Sequence, residues 1–382
     1  MRDFDIIVYG ATGFTGRLVA EYLSQQGVTR WAMAGRSRTK LEEVRDLIGA
    51  PADTPLVVAD ADDPASLKAM AESTQVVLTT VGPYQLYGAP LIAACVAAGT
   101  AYVDLCGEPA WMRHMIDAHH AEAQRTGARI VFSCGFDSIP FDLGVLTLQE
   151  CARAKYGMPA PRVKGRVRAM KGGFSGGTAA SLKATLAAAA RDPSIVGLLA
   201  SPFALTPGFS GPHQPTGMLP EFDATLNTWV APFIMAAINT KNVHRTNYLL
   251  GHRYGTDFVY DEMMVAGLGD MGKAAAEAIA KLNPLAGDKG PKPGEGPSKE
   301  ERDSGHYDLL FVGLMPDGAR FDAVVTGDRD PGYGSTSKMI AETARCLIET
   351  EGAGGIWTPG ALLGTGLRDR LQDKAGLTFT AG

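Results

Sequence analysis

The segment Gly10-Ala11-Thr12-Gly13-Phe14-Thr15-Gly16 constrains this chain more tightly than any other. It follows the apolar run Ile6-Ile7-Val8-Tyr9 and leads into Arg17-Leu18-Val19-Ala20-Glu21-Tyr22-Leu23, whose apolar residues recur at helical spacing. Strand, glycine-rich turn and helix in that order make a phosphate cradle. Gly10 permits the tight turn, Gly13 lets backbone N–H groups approach a pyrophosphate, and Gly16 lets the helix pack close to the strand. The whole turn, with Ala11, Thr12, Phe14 and Thr15, is therefore the candidate dinucleotide contact. Its GxxGxxG spacing departs from GxGxxG but keeps the mechanism, and an ordinary turn is the alternative.

At 382 residues the chain exceeds one comfortable core, so two domains are expected. Its 36 basic residues against 41 acidic ones give a net charge of −5, which argues against a general affinity for nucleic acid. The five cysteines (Cys95, Cys106, Cys134, Cys151, Cys346) are odd in number and form no CxxC pair. A reduced, cytoplasmic chain is the simplest reading. No leader is expected, because Met1-Arg2-Asp3-Phe4 runs straight into the first strand. The apolar stretches Ile195–Leu205 and Trp229–Ile238 fall short of the roughly 18–20 residues that span a bilayer, though either could touch lipid.

The first third alternates strands (5–9, 31–34, 56–59, 76–80, 101–104, 129–133) with helices (17–26, 39–48, 64–73, 89–98, 110–126). Runs such as Val76-Val77-Leu78 lack polar alternation, as expected when helices cover both faces of a parallel sheet. The fold class is α/β: a Rossmann-type doubly wound parallel sheet with an inserted α+β substrate domain on a mostly antiparallel sheet. After about Phe141 the pattern changes. Arg162–Ala169 alternates strictly, and Tyr307–Met315 and Ala319–Thr326 flank the turn Pro316-Asp317-Gly318. Helices are expected at 178–190, 271–281 and 333–349, with a short one opening at Thr358-Pro359. The Gly/Pro-rich stretch 287–305 is a loop, with a lid over the site as its alternative role. The expected division is 1–141 for nucleotide, 142–330 for substrate, and 331–382 as a helical return to the first domain.

Ala34-Gly35-Arg36-Ser37-Arg38 ends the second strand, where an NAD site places a carboxylate for the ribose 2′-OH. Arg36, Ser37 and Arg38 suit a 2′-phosphate instead, which favours NADP; a solvated helix cap is the alternative. Asp60 closes the third strand within reach of an adenine amino group. After the fourth strand, Val81, Gly82 and Pro83 would lie along the pyrophosphate and nicotinamide ribose, with Tyr84 as a proton donor, a stacking face or a structural tyrosine. Asp104 and Glu108 flank Gly107, a further cofactor contact, and serve as an acid/base pair or cap the following helix. Asp137 and Ser138 follow the sixth strand. His119 and His120 look solvated, and no metal site, HExxH, GxSxG or P-loop lysine occurs.

The chain resembles the saccharopine-dehydrogenase-like oxidoreductases, and most closely their trans-acting enoyl reductase branch. The resemblance rests on YGATGFTGRLVAEYL, AGRS, TTVGPYQLYG (79–88), YVDLCGE (102–108), CGFDSIPFDLG (134–144), SGGT (175–178), GEGPS (294–298) and DPGYGSTSKMIAE (330–342). It implies an NADP-linked reductase of enoyl double bonds in polyketide or fatty-acyl thioesters carried by a synthase, with SGGT and DPGYG facing the cleft. Phe203, Phe209, Met218, Phe222, Trp229, Phe233 and Met235 suit an acyl chain better than a diacid amino acid.

The leading expectation is hydride transfer from NADPH to the β-carbon and protonation of the α-carbon by a cleft acid. Tyr84 comes first for that acid, because an ordinary pKa near ~10 keeps it protonated at neutral pH, with Asp137 and Ser138 behind it. A saccharopine-type amino-acid or imine dehydrogenase and a non-catalytic, lipid-associated NADP-binding protein are the competitors. A homodimer and a peripheral lipid contact stay open.

Overall fold

The computed structural model describes residues 2–172, 176–282 and 295–382. Its first layer runs β1 (Phe4–Tyr9), α1 (Phe14–Gln25), β2 (Trp31–Gly35), α2 (Arg38–Leu47), β3 (Leu56–Val58), α3 (Pro64–Ser73), β4 (Thr74–Thr79), α4 (Tyr84–Ala98), β5 (Ala101–Val103), α5 (Pro109–Thr126) and β6 (Arg129–Val131). The chain continues through α6 (Ile139–Tyr156), β7 (Arg162–Lys171), α7 (Gly176–Arg191), α8 (Pro193–Ala200), β8 (Glu221–Asp223), β9 (Thr228–Pro232), α9 (Ala236–Leu249), β10 (Val259–Gly267), α10 (Gly269–Ala280) and α11 (Lys299–Asp303). It ends with β11 (His306–Leu314), β12 (Arg320–Gly327), a π turn (Pro331–Ser335), α12 (Thr336–Glu349), β13 (Gly355–Trp357), α13 (Pro359–Leu362), α14 (Gly364–Lys374) and β14 (Leu377–Ala381).

The first sheet has the order β13-β6-β5-β4-β1-β2-β3 and every pair is parallel. Ile6, Ile7 and Val8 are buried on both faces, the reason these strands show no polar alternation. The second sheet has the order β14-β12-β11-β7-β10-β9-β8 and is antiparallel except where β7 meets β10. The hairpin lies where its turn residues put it. Met315 N–H donates to Ala319 O at 2.9 Å, and Gly318 takes a φ of 84°.

The second sheet is held internally by charge. Arg166 lies buried on β7, its Nε donating to Asp223 Oδ2 at 2.9 Å and its Nη1 to Asp261 Oδ2 at 2.7 Å. Lys164 adds a bond to Asp223 at 2.9 Å, and Arg162 another to Asp261. Two buried carboxylates thus meet three cations, so no charge there lacks a partner.

Three features depart from the sequence expectation. The segment 331–382 is not wholly a return to the first domain: β13 extends the first sheet, whereas β14 pairs with β12 in the second. Trp229–Ile238 is not a lipid-facing run, because it forms β9 and the start of α9, with Val230, Ala231, Phe233 and Ile238 all buried. His120 is not solvated; it is half-buried, and its Nδ1 accepts from Ile356 N at 3.0 Å. No described helix is long and apolar enough to cross a membrane.

Candidate active site

The carboxyl ends of β1, β4, β5 and β6 form one rim, and most of the candidate residues lie on it. At the glycine turn, Gly10 has a φ of 91°. A Cβ there would lie 2.7 Å from Val81 Cγ2, and one on Gly16 would lie 2.1 Å from Gly10 O. Both glycines are required by backbone approach. Gly13 caps α1 without any side-chain hydrogen bond, and no acidic residue sits in the first turn. The helix therefore offers its amide end to an anion. Thr12 and Gly13 are exposed beside the buried Ala11. Phe14 turns to the second half of the Gly/Pro loop: its ring meets Tyr333 edge-on at 4.8 Å, and the Arg302 guanidinium lies 5.6 Å away. The first half of that loop, 287–294, and Ser175 of the SGGT segment lie outside the described residues.

Arg36 is exposed at the end of β2 and has no ion pair among the described residues. Ser37 caps α2, accepting from Lys40 N at 3.4 Å, and Arg38 lies 3.9 Å from Glu42. Asp60 closes a turn by accepting from Asp62 N at 3.1 Å. Burial, and then the Asp60 charge, pushes the Tyr9 phenol up to about 12. Arg36, Ser37, Arg38 and Asp60 thus gather at the β2–β3 side of the rim.

The β4–β5 side differs from expectation at two residues. Tyr84 does not present its hydroxyl to a cleft: the group is buried, donates to Thr79 O at 3.3 Å and accepts from Leu105 N at 3.0 Å. Burial raises its pKa well above the ordinary phenol value. Glu108 caps α4 rather than the helix that follows it, and Ser181 of α7 donates to the same carboxylate at 2.8 Å. Val81 and Pro83 are half-buried, while Gly82 and Gly107 are exposed, with open space around Gly107. Asp104 lies beneath, accepting from Tyr102 Oη at 2.9 Å, Cys106 N at 3.0 Å and Ser133 N at 2.8 Å. Burial outweighs those bonds and pushes its carboxyl up to about 7.

Asp137, just past β6, is of another kind. Among the described residues its carboxyl has no hydrogen bond or ion pair, and burial alone pushes it up to about 7, although the residue keeps some solvent access. Ser138, fully buried beside it, accepts from Asn242 Nδ2 at 2.5 Å, so its hydroxyl is engaged by α9. Thr336 Oγ1 at the start of α12 accepts from Phe136 N at 3.0 Å, which brings the DPGYGST segment onto the same rim.

The apolar residues expected to hold an acyl chain do not converge. Phe203 packs with Phe209 and His244, Phe233 packs with Phe141, and Met218 and Phe222 are 71% and 48% exposed. Trp229 and Met235 are half-buried. A cavity of about 140 Å³ lies instead at the N-termini of α4 and α5, lined by Glu108, Ala110, Trp111, Thr185, Ala188 and Ile195 among others. Sequence reasoning also passed over α9, whose Asn239, Lys241, Asn242, His244, Arg245 and Asn247 are all buried. The one available signal was Asn239-Thr240-Lys241-Asn242-Val243-His244-Arg245, basic and polar with no acidic residue, directly after an apolar run.

Residues 6–131 match the saccharopine dehydrogenase NADP-binding domain. A Mycobacterium tuberculosis protein provisionally named a trans-acting enoyl reductase is 42% identical, over 97% of this chain and 96% of its own. The trans-acting enoyl reductase of Mycobacterium ulcerans is 37% identical, over 100% of this chain and 98% of its own. Among solved structures, apo saccharopine dehydrogenase (L-Glu forming) from Saccharomyces cerevisiae superposes with a TM-score of 0.57. That likeness covers 99% of this chain and 100% of the yeast chain at 10% identity, and it concerns the fold alone. With NADP as its cofactor, the chain belongs to the family of the trans-acting enoyl reductases and is an oxidoreductase on the saccharopine dehydrogenase fold.

Proposed function

We propose that this enzyme reduces the α,β double bond of a lipid or polyketide acyl thioester, carried to it in trans by a synthase. The observation that carries the reading is the Asp137 carboxyl, which is enclosed and unpaired at the carboxyl end of β6. A carboxyl raised to about 7 keeps about half its population protonated at neutral pH and can still release its proton, as a general acid requires. When bound, NADPH supplies the hydride that the β-carbon receives. Asp137 then protonates the α-carbon, so that hydride and proton together saturate the bond. Names of relatives that match over nearly the whole chain support the same reading.

The glycine turn, Gly10 to Gly16, holds the pyrophosphate through backbone amides. Arg36, Arg38 and Ser37 hold the 2′-phosphate, and Asp60 faces the adenine. Val81, Gly82, Pro83 and Gly107 line the path to the nicotinamide. Tyr84 and Ser138 leave the acid role to Asp137, because both hydroxyls are engaged inside the protein. The cavity beside Trp111 takes the first carbons of the acyl chain. Residues 1–141 form the nucleotide unit and 142–330 the substrate unit, with 331–382 shared between them. A diacid substrate fits less well, because buried Arg166 and Arg245 are consumed by partners within the protein.

NADPH oxidation measured against matched panels of enoyl thioesters and of 2-oxo acids with amines tests the reading. Turnover on the first panel is expected. Turnover confined to the second, or on neither with NADPH bound, overturns it.

A further inference from the structure

Lys241 lies on α9 with only 5% of its surface exposed. Its helix is anchored on several sides. Asn239 Nδ2 donates to Glu262 at 2.9 Å, Asn242 Nδ2 to Ser138 at 2.5 Å, and Arg245 to Leu205 O and Ile356 O at 2.6 and 2.5 Å. Lys241 comes three residues after Ile238 and four before Arg245, so the three share a helix face. Ile238 packs in the core cluster of the first sheet, and Arg245 reaches β13 of that sheet. The lysine is thus turned toward the first sheet, on the helix whose Asn242 holds Ser138, the neighbour of Asp137 in the chain.

Three other buried or half-buried cations of the second half are, by contrast, bonded. Arg166 has two aspartates, Lys164 has Asp223 and Thr225, and Arg245 has two carbonyls. Among the described residues Lys241 has no hydrogen bond or ion pair, and burial lowers its pKa to about 8, which still leaves it mostly charged at neutral pH. The Glu262 carboxyl, which meets α9 at Asn239, is already taken by Asn239 and Tyr260. On the same helix the buried Asn242 Oδ1 and His244 Nε2 have no hydrogen-bond partner among the described residues, and the Lys241 charge adds to the burial that lowers the His244 pKa. An unpaired ammonium on a side chain this deeply buried is costly unless a ligand completes it.

We propose that Lys241 is the substrate-facing cation of this enzyme, taking the thioester carbonyl oxygen and holding the negative charge that develops on it. The proposal rests on the enoyl thioester reading above. As hydride reaches the β-carbon, the electrons of the double bond pass toward the carbonyl oxygen, giving an enolate. The enolate collapses as the α-carbon takes the proton from Asp137. Lys241 keeps its own proton throughout, so its part is electrostatic.

The test uses Lys241→Met and Lys241→Gln in the full chain. Trans-2-decenoyl N-acetylcysteamine is the substrate, having no charge besides the developing enolate, and decanoate is an anionic mimic of that oxygen. Both variants are expected to lose about 100-fold to 1000-fold in kcat with NADPH affinity unchanged. They should bind decanoate at least about tenfold more weakly by calorimetry, a loss of one decade or more. Both should melt no lower than the wild type, since an unpaired buried charge has been removed. Unchanged decanoate affinity in the variants, or no decanoate binding by the wild type, overturns the proposal. If no enoyl thioester is turned over but decanoate binding still depends on Lys241, the function reading fails while the anion site stands.

Discussion

The Glu108 carboxylate closes the first turn of α4 across Tyr84, accepting from Tyr84 N at 2.9 Å and Gln85 N at 2.8 Å. One residue that reads as an acid/base candidate therefore fixes the backbone of another. Glu108→Ala should cost about 1–2 kcal/mol, as the loss of a charged helix cap does, read as a lower denaturant midpoint. Tyr84→Phe should lower stability by roughly 1 kcal/mol, the worth of an internal hydrogen bond. Turnover should stay within about threefold of wild type, whereas loss of a general acid costs about 10²–10⁴-fold. Steady-state kinetics on the same preparations separates the two.

Asp137→Asn should lower kcat by about 10²–10⁴-fold, the usual worth of a general acid. In the wild type, kcat should fall as pH rises through about 7, where this carboxyl gives up its proton. The stability effect has the opposite sign. A carboxyl raised from 3.8 to about 7 carries no penalty below pH 4, a growing one between, and a constant one above. Asp137→Asn should therefore raise the melting temperature at pH 8 and leave it unchanged near pH 4, measured by calorimetry.

Arg36→Ala should raise the KM for NADPH about 10–100-fold, equivalent to about 1.4–2.8 kcal/mol, and leave the KM for NADH nearly unchanged. Arg38→Ala should do less, because its guanidinium is shared with Glu42. Equal effects on both nucleotides would point to a general loss of fold and not to the 2′-phosphate.

Arg166→Met should be among the most destabilising changes in the chain, at about 3–5 kcal/mol, because it strips one partner from two buried aspartates. Arg168→Met on the same strand breaks an exposed pair with Asp308 and should cost under about 1 kcal/mol. Urea unfolding of the two variants checks the contrast.

The first sheet was legible because its strands are short apolar runs punctuated by turn residues, and the helix 64–73 matches α3 to the residue. The tight glycine turn was legible because two of its glycines are forced by contact. Helix α6 was not, since Leu143 to Gln149 are buried on every side and no polar face marks the period. Helix α9 was hidden for the opposite reason: Asn239, Lys241, Asn242 and Arg245 read as a solvated surface, yet all are interior. Tyr84 misled because sequence shows where a side chain starts and not what its hydroxyl touches.

Strands β13 and β14 are separated by about twenty residues, yet one finishes the edge of the first sheet and the other the edge of the second. The final segment works as a strap buckled to both halves. Together with the crossings from β6 to β7 and from β12 to β13, it makes a third covalent tie between the two sheets. Truncating the chain after Thr350 would remove both edge strands at once, leaving Arg129 of β6 and Val325 of β12 on newly bared margins.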